Sequence, residues 1–206
     1  MVPQRSPRPH SRILIILSIV VVLVLFWNIG SSVDTNASPV TSQQAHIKMS
    51  NPVISALKVS VRQTSPSSPQ LTVGVTNTHS SPTTVFTWNS PLDPLAVQLG
   101  LLFLTPEGSE SPIDIPTIQV RRLMPPPDDA YVTIEPGQTE ERELVLKKPV
   151  IPLDTLQGRV KVVCKGEWRS VWPSKKEDMS AESLKHAWSD DALKGSFESE
   201  PVEIEL

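Results

Sequence analysis

The sequence predicts a mainly β chain: an antiparallel sandwich with one short inserted helix, preceded by a single N-terminal transmembrane helix. Three observations predict it. From about Pro52 onward, short runs alternate apolar and polar residues with the period of half-buried strands. Proline supplies 21 of the 206 residues and glycine only 8, which opposes long helices and favours short strands joined by stiff turns. One long apolar run, residues 13–27, stands near the N-terminus and is broken only by Ser18.

That run carries the expectation about location. It holds 15 residues, or 17 if extended to Ile29. As a helix, 17 residues reach about 25 Å, slightly short of a hydrocarbon core of about 30 Å. Arg5, Arg8 and Arg12 precede it, and none of the residues that follow, up to Gln44, is basic. The excess of positive charge on the N-terminal side predicts a cytoplasmic tail (1–12), a transmembrane signal anchor (13–29) in the lipid bilayer, and residues 30–206 on the lumenal or extracellular side. Gly30 and Ser32 are small and suitably spaced, so cleavage before Val33, giving a secreted product, is the alternative. Asn36-Ala37-Ser38 is a glycosylation acceptor, with Asn36 on the appropriate side. Residues 30–51, rich in Ser, Thr, Gln and Asn, read as a flexible linker.

The domain expected over 52–206 is justified element by element. Leu57, Val59 and Val61 alternate with Lys58, Ser60 and Arg62; Leu71, Val73 and Val75 alternate with Thr72, Gly74 and Thr76. Both are strands, with the Ser- and Pro-rich stretch 65–69 as the turn between them. Val85, Phe86 and Trp88 mark a third strand, and residues 89–94 a rigid loop. Residues 97–104 are largely apolar and are expected as a central strand covered on both faces. Pro106-Glu107-Gly108 is a turn. A strand is expected at 118–123, then an irregular triple proline at 125–127. Val132 and Ile134 lead into Glu135-Pro136-Gly137-Gln138, the order that a type II turn prefers. Leu144 and Leu146 alternate with Glu143 and Lys147, and Val160, Val162 and Cys164 with Lys161, Val163 and Lys165. A helical insertion is expected at about 178–192, capped by Asp178 or Ser180, with Leu184 and Trp188 on one face. A last strand runs from Phe197, with Val202, Ile204 and Leu206 inward. Eight or nine strands without helical crossovers indicate an antiparallel arrangement.

Composition excludes several functions. Lys plus Arg number 19 and Asp plus Glu 22, a net charge of -3; no basic excess exists for nucleic acid. Cys164 is the single cysteine, which leaves no partner for an intrachain disulfide and reads as a small buried hydrophobe. The four histidines, His10, His46, His79 and His186, form no His-x-x-x-His or His-Glu pair, and no Gly-x-Ser-x-Gly elbow occurs. No catalytic, cofactor or metal site is therefore expected. Asp93, Asp114, Asp128, Asp129 and Glu167 are the carboxylates from which a hydrolytic pair would have to come. Trp168 and Trp172, four apart on a strand, are the candidate aromatic platform for a protein or glycan partner; the competing reading puts them in the core. Arg121-Arg122 is a dibasic pair open to processing, or else two strand residues on opposite faces.

Several stretches carry a family resemblance. They are Leu71-Thr72-Val73-Gly74-Val75-Thr76-Asn77-Thr78, Thr87-Trp88-Asn89-Ser90-Pro91-Leu92-Asp93, Val120-Arg121-Arg122, Ile134-Glu135-Pro136-Gly137-Gln138 and Gly166-Glu167-Trp168. Together they resemble the precursor segment of fungal deuterolysin-type and lysine-specific metalloendopeptidases, and of uncharacterised fungal secreted proteins. The resemblance implies an immunoglobulin-like β-sandwich and secretory routing. The His-Glu-x-x-His helix of the peptidase half is missing, which argues against protease activity. The leading expectation is a membrane-tethered, non-catalytic binding module. The alternatives are a propeptide-like inhibitor or folding helper for a secreted metallopeptidase, and a hydrolase with an unrecognised carboxylate site.

Overall fold

Alternation of buried and exposed side chains marks the strand Leu57–Gln63 and the first part of Arg159–Trp172, whereas Gln70–Asn77 and Thr83–Phe86 are buried along nearly their whole length. The computed structural model describes residues 51–65, 69–156 and 158–206. The expected tail, transmembrane helix and nearly all of the linker, with Asn36, His10 and His46, lie outside the described residues. Nine strands are found among the described residues, and every pairing is antiparallel. The first sheet contains β1 (Leu57–Gln63), β2 (Gln70–Asn77) and β6 (Thr139–Val145), in the order β1-β2-β6. The second contains β3 (Thr83–Phe86), β4 (Leu102–Pro106), β5 (Tyr131–Ile134), β7 (Arg159–Trp172), β8 (Leu193–Glu198) and β9 (Val202–Glu205). Two five-residue helices accompany them, α1 (Pro52–Ala56) and α2 (Ala181–Lys185).

In β1, Leu57, Val59 and Val61 are buried while Lys58, Ser60 and Arg62 are exposed, as their alternation predicts. These residues join Leu71, Val73, Val75 and Leu144 of the first sheet in one apolar cluster. Val85, Leu102, Leu104, Val160, Val162 and Cys164 of the second sheet complete it. The sheets therefore face one another across a shared core, each buried Val or Leu contributing about 1.5–3 kcal/mol before entropy is counted. The β5–β6 turn forms as its sequence predicts. Gly137 has φ +76°, and the Gln138 N–H donates to the Glu135 carbonyl at 3.0 Å.

Four expectations are corrected. Residues 97–100 do not belong to the strand that begins at Leu102. Asp93 accepts the Leu95 N–H at 2.9 Å, Leu99 donates back to the Leu95 carbonyl, and Gly100 closes the turn at φ +75°. Asp-Pro at the start and Gly at the end are helix punctuation, and they override the apolar content. Residues 118–123 make no ladder: Ile118 donates to Gln98, but Ile118, Val120 and Leu123 stay exposed. The helical insertion shrinks to α2 and one 3-10 turn, Lys176–Asp178. Ser180 is the cap, its hydroxyl accepting the Ser183 N–H at 3.0 Å. The last strand is two strands, because Pro201 lacks an N–H and the Ser199 hydroxyl accepts the Cys164 N–H in place of a ladder carbonyl. α1 was not anticipated; Asn51 caps it by accepting the Val53 N–H at 3.0 Å, with Pro52 next in the chain.

Cys164 is fully buried in the shared core, and burial pushes its thiol from 9.0 up to about 12. Above pH 9.0 the unfolded chain loses this proton while the folded chain keeps it, so stability falls as pH rises towards about 12. Urea titrations across that window should show this loss. Cys164→Ala, less stable at neutral pH, should show a shallower decline.

Candidate functional site

The site begins with an irregularity in β7. Val160, Val162, Cys164 and Trp168 of this strand point into the shared core. The β7–β8 register then shifts between Trp168 and Val171. A bulge inserts a residue and changes which side chains face inward. Val171 consequently joins Trp168 in the shared core, while Trp172 enters a second cluster with Phe86, Ala130, Tyr131 and Ala187. The same division runs across the neighbouring strands: Val85 packs inward and Phe86 outward. At this end the outer face of the second sheet is a small core of its own.

The proposed Trp168–Trp172 platform is corrected by this arrangement. The two indoles are only 1% and 2% exposed and lie in different clusters, so they present no common face to a ligand. Spacing of four places two side chains on one face of a regular strand, and the bulge breaks the regularity.

The aromatic surface is supplied by other tryptophans. Phe86 is the hub, with ring centroids 5.0 Å from Trp88, 5.3 Å from Tyr131 and 6.2 Å from Trp188. Trp88 lies just beyond the end of β3, and Trp188 just beyond α2. Tyr131 holds the α2 segment down: its hydroxyl donates to the Leu184 carbonyl at 2.8 Å, and burial raises its pKa to about 12. Ser170 likewise donates to the Ala187 carbonyl. Trp188 remains 51% exposed.

Arg122 brings two of the resemblance stretches together. Its guanidinium lies 5.0 Å from the Trp88 ring centroid and donates to the Asp93 carboxylate at 2.6 Å. Asp93 is fully buried and also accepts the Asn89 and Leu95 N–H groups at 2.7 and 2.9 Å. A charge so far from water needs these partners. The dibasic pair therefore lies on no strand: Arg121 is exposed, while Arg122 is engaged and 19% exposed in its side chain.

Two open grooves meet here, and Trp88 and Arg122 line both. One, of about 250 Å³, is bounded also by Val120, Arg169 and Trp188. The other, of about 450 Å³, is bounded also by Leu123, Asp129 and Arg142. Arg142 donates to the Leu92 carbonyl at 3.2 Å. Among the described residues, neither Arg142 nor Arg169 has an acidic partner.

The other candidate carboxylates do not converge. Asp93 is committed to Arg122, and Asp114 is exposed between β4 and β5. Asp128 pairs with Lys176 at 2.5 Å, Asp129 borders the larger groove, and Glu167 is exposed on β7. Among the described residues, no group of three or more His, Cys, Asp or Glu could hold a metal ion. His79 accepts the Ser81 N–H in a turn, and His186 ends α2. Arg169 and Trp188 were missed as site residues. Arg169 is an ordinary exposed strand residue in the sequence, and Trp188 reads there as the buried face of a longer helix.

Removing either partner of the Asp93–Arg122 pair should be costly. Arg122→Gln and Asp93→Asn are each expected to destabilise the chain by about 3–5 kcal/mol, the range for breaking a buried pair. The double variant should cost much less than the sum, which a urea-denaturation double-mutant cycle measures.

A family profile described as immunoglobulin-like domain matches residues 56–206. An "Uncharacterized secreted protein" of Arthroderma benhamiae is 32% identical over 147 residues, covering 69% of this chain and 71% of its own length. The profile agrees with the immunoglobulin-like part of the resemblance, and the relative with its uncharacterised fungal secreted-protein part. With paired antiparallel sheets around one core and a profile match from Ala56 to the last residue, the chain belongs to the immunoglobulin-like domain family.

Proposed function

We propose that this protein is a non-catalytic binding module of the secretory pathway whose ligand occupies the Trp88–Arg122–Arg169–Trp188 groove. The groove carries the reading. It combines exposed indole and aliphatic surface with a guanidinium that has no acid partner among the described residues, the composition of a recognition surface. A hydrolytic reading draws less support. The buried carboxylate is occupied by Arg122, and the exposed ones are dispersed. A glycan and peptide library incubated with the full chain should yield ligands that bind and are not turned over. Turnover abolished by Asp129→Ala would overturn the non-catalytic assignment.

Residues 13–29 are proposed to direct the chain into the secretory pathway and to stay as its anchor, with the groove on the non-cytosolic side. Among the described residues no helix is long and apolar enough to cross a membrane, so the tether rests on the N-terminal run. The second reading, release after cleavage before Val33, is favoured by the name of the Arthroderma benhamiae relative. Carbonate extraction and N-terminal sequencing of the mature protein separate them. An anchored chain pellets with membranes and keeps its N-terminal arginines; a released one is soluble and begins near Val33.

A further inference from the structure

We infer that the groove's ligand is an extended peptide segment alternating acidic and large apolar residues, bound beside residues 119–123. This rests on the binding-module reading and names the class of partner. Charge comes first. Arg122 is balanced by Asp93, but Arg169 and Arg142 border the two grooves without an acidic partner among the described residues, against Asp129 alone. In a chain of net charge -3, this is a local positive site, and it complements carboxylates.

Apolar surface comes second. Val120 is 36% exposed, Leu123 84% and Trp188 51%. Val120 and Leu123 are aliphatic, and such side chains match apolar side chains of a peptide better than the hydroxyl-studded faces of a sugar. Backbone comes third. Among the described residues, 119–123 make no backbone hydrogen bonds, while Val120 and Arg122, two apart, both line the smaller groove. A segment with free N–H and C=O groups and side chains of period two can accept a partner strand by main-chain pairing. Alternate side chains of that strand would then reach the indoles and the guanidiniums, where carboxylate and guanidinium form charge-assisted pairs.

The test uses the full chain and the blocked peptide Leu-Glu-Phe-Glu-Leu-Glu-Leu, followed by tryptophan fluorescence and calorimetry. The glutamine counterpart, a copy N-methylated at alternate residues and an oligogalacturonate serve as comparators. The acidic peptide should bind, and the glutamine and N-methylated copies should each bind about tenfold more weakly. Arg169→Gln should remove most of the preference for Glu over Gln, and Trp188→Ala should weaken all peptides by about tenfold. Both residues are substantially exposed, and circular dichroism checks that both variants stay folded. If oligogalacturonate binds in a manner dependent on Arg169 and Trp188 while the peptide does not, the peptide assignment falls and the groove stands as the binding site. If neither probe binds, or neither variant alters binding, the peptide assignment falls; library ligands equally indifferent to both variants remove the groove as well.

Discussion

β7 is the constraint on which the rest of this molecule is arranged. It is the longest strand among those described, 14 residues, and four other strands pair with it. Its first part is an ordinary amphipathic strand, with Val160, Val162 and Cys164 inward. Had the alternation continued, Trp172 would have followed Trp168 into the shared core. The register shift before Val171 sends it to the other face instead. On that face its indole is buried under a cover of Phe86, Tyr131, Ala130 and the segment around α2. The groove exists because that cover is incomplete. Trp88 and Trp188 pack against its margin and keep part of their surface open.

The second organising contact is electrostatic. Asp93 opens the turns that precede β4, and its carboxylate satisfies two backbone N–H groups of its own loop. Arg122 reaches it from residues 29 positions later in the chain and lies over Trp88 on the way. A segment with no ladder of its own is thus tied to a loop that holds the site's central indole. Buried pairs of this kind are weak evidence of stability in themselves. Here the pair has a positional consequence, since Val120 and Leu123, which line the two grooves, flank Arg122.

Strand legibility followed burial on one face. Where one face meets the core and the other meets water, as in β1 and the first part of β7, alternation alone located the strand and its orientation. Apolar content without that contrast misled. Residues 97–104 are largely apolar, yet Asp93, Pro94 and Gly100 shape 97–100 as turns. Residues 118–123 alternate well enough to suggest a strand, but a ladder needs a neighbour, and none is supplied. The candidate site was less legible. Asp93, Trp88 and Arg122 stood out in resemblance stretches without any sign that they touch. Arg169 and Trp188 carried no signal, because each acquires its meaning from a bulge and from a helix that ends early.

The sequence by itself determined the antiparallel, mainly β class, the inward residues of the half-buried strands, the type II turn at Gly137 and the buried thiol at Cys164. These are consequences of short-range periodicity and of local backbone preference, and both are written in neighbouring residues. Only the tertiary structure decided that Trp168 and Trp172 face opposite ways, that Asp93 finds Arg122, and that Trp88, Trp188 and Arg169 share a groove. Those outcomes depend on one register shift and on contacts between residues far apart in the chain, which local sequence does not encode.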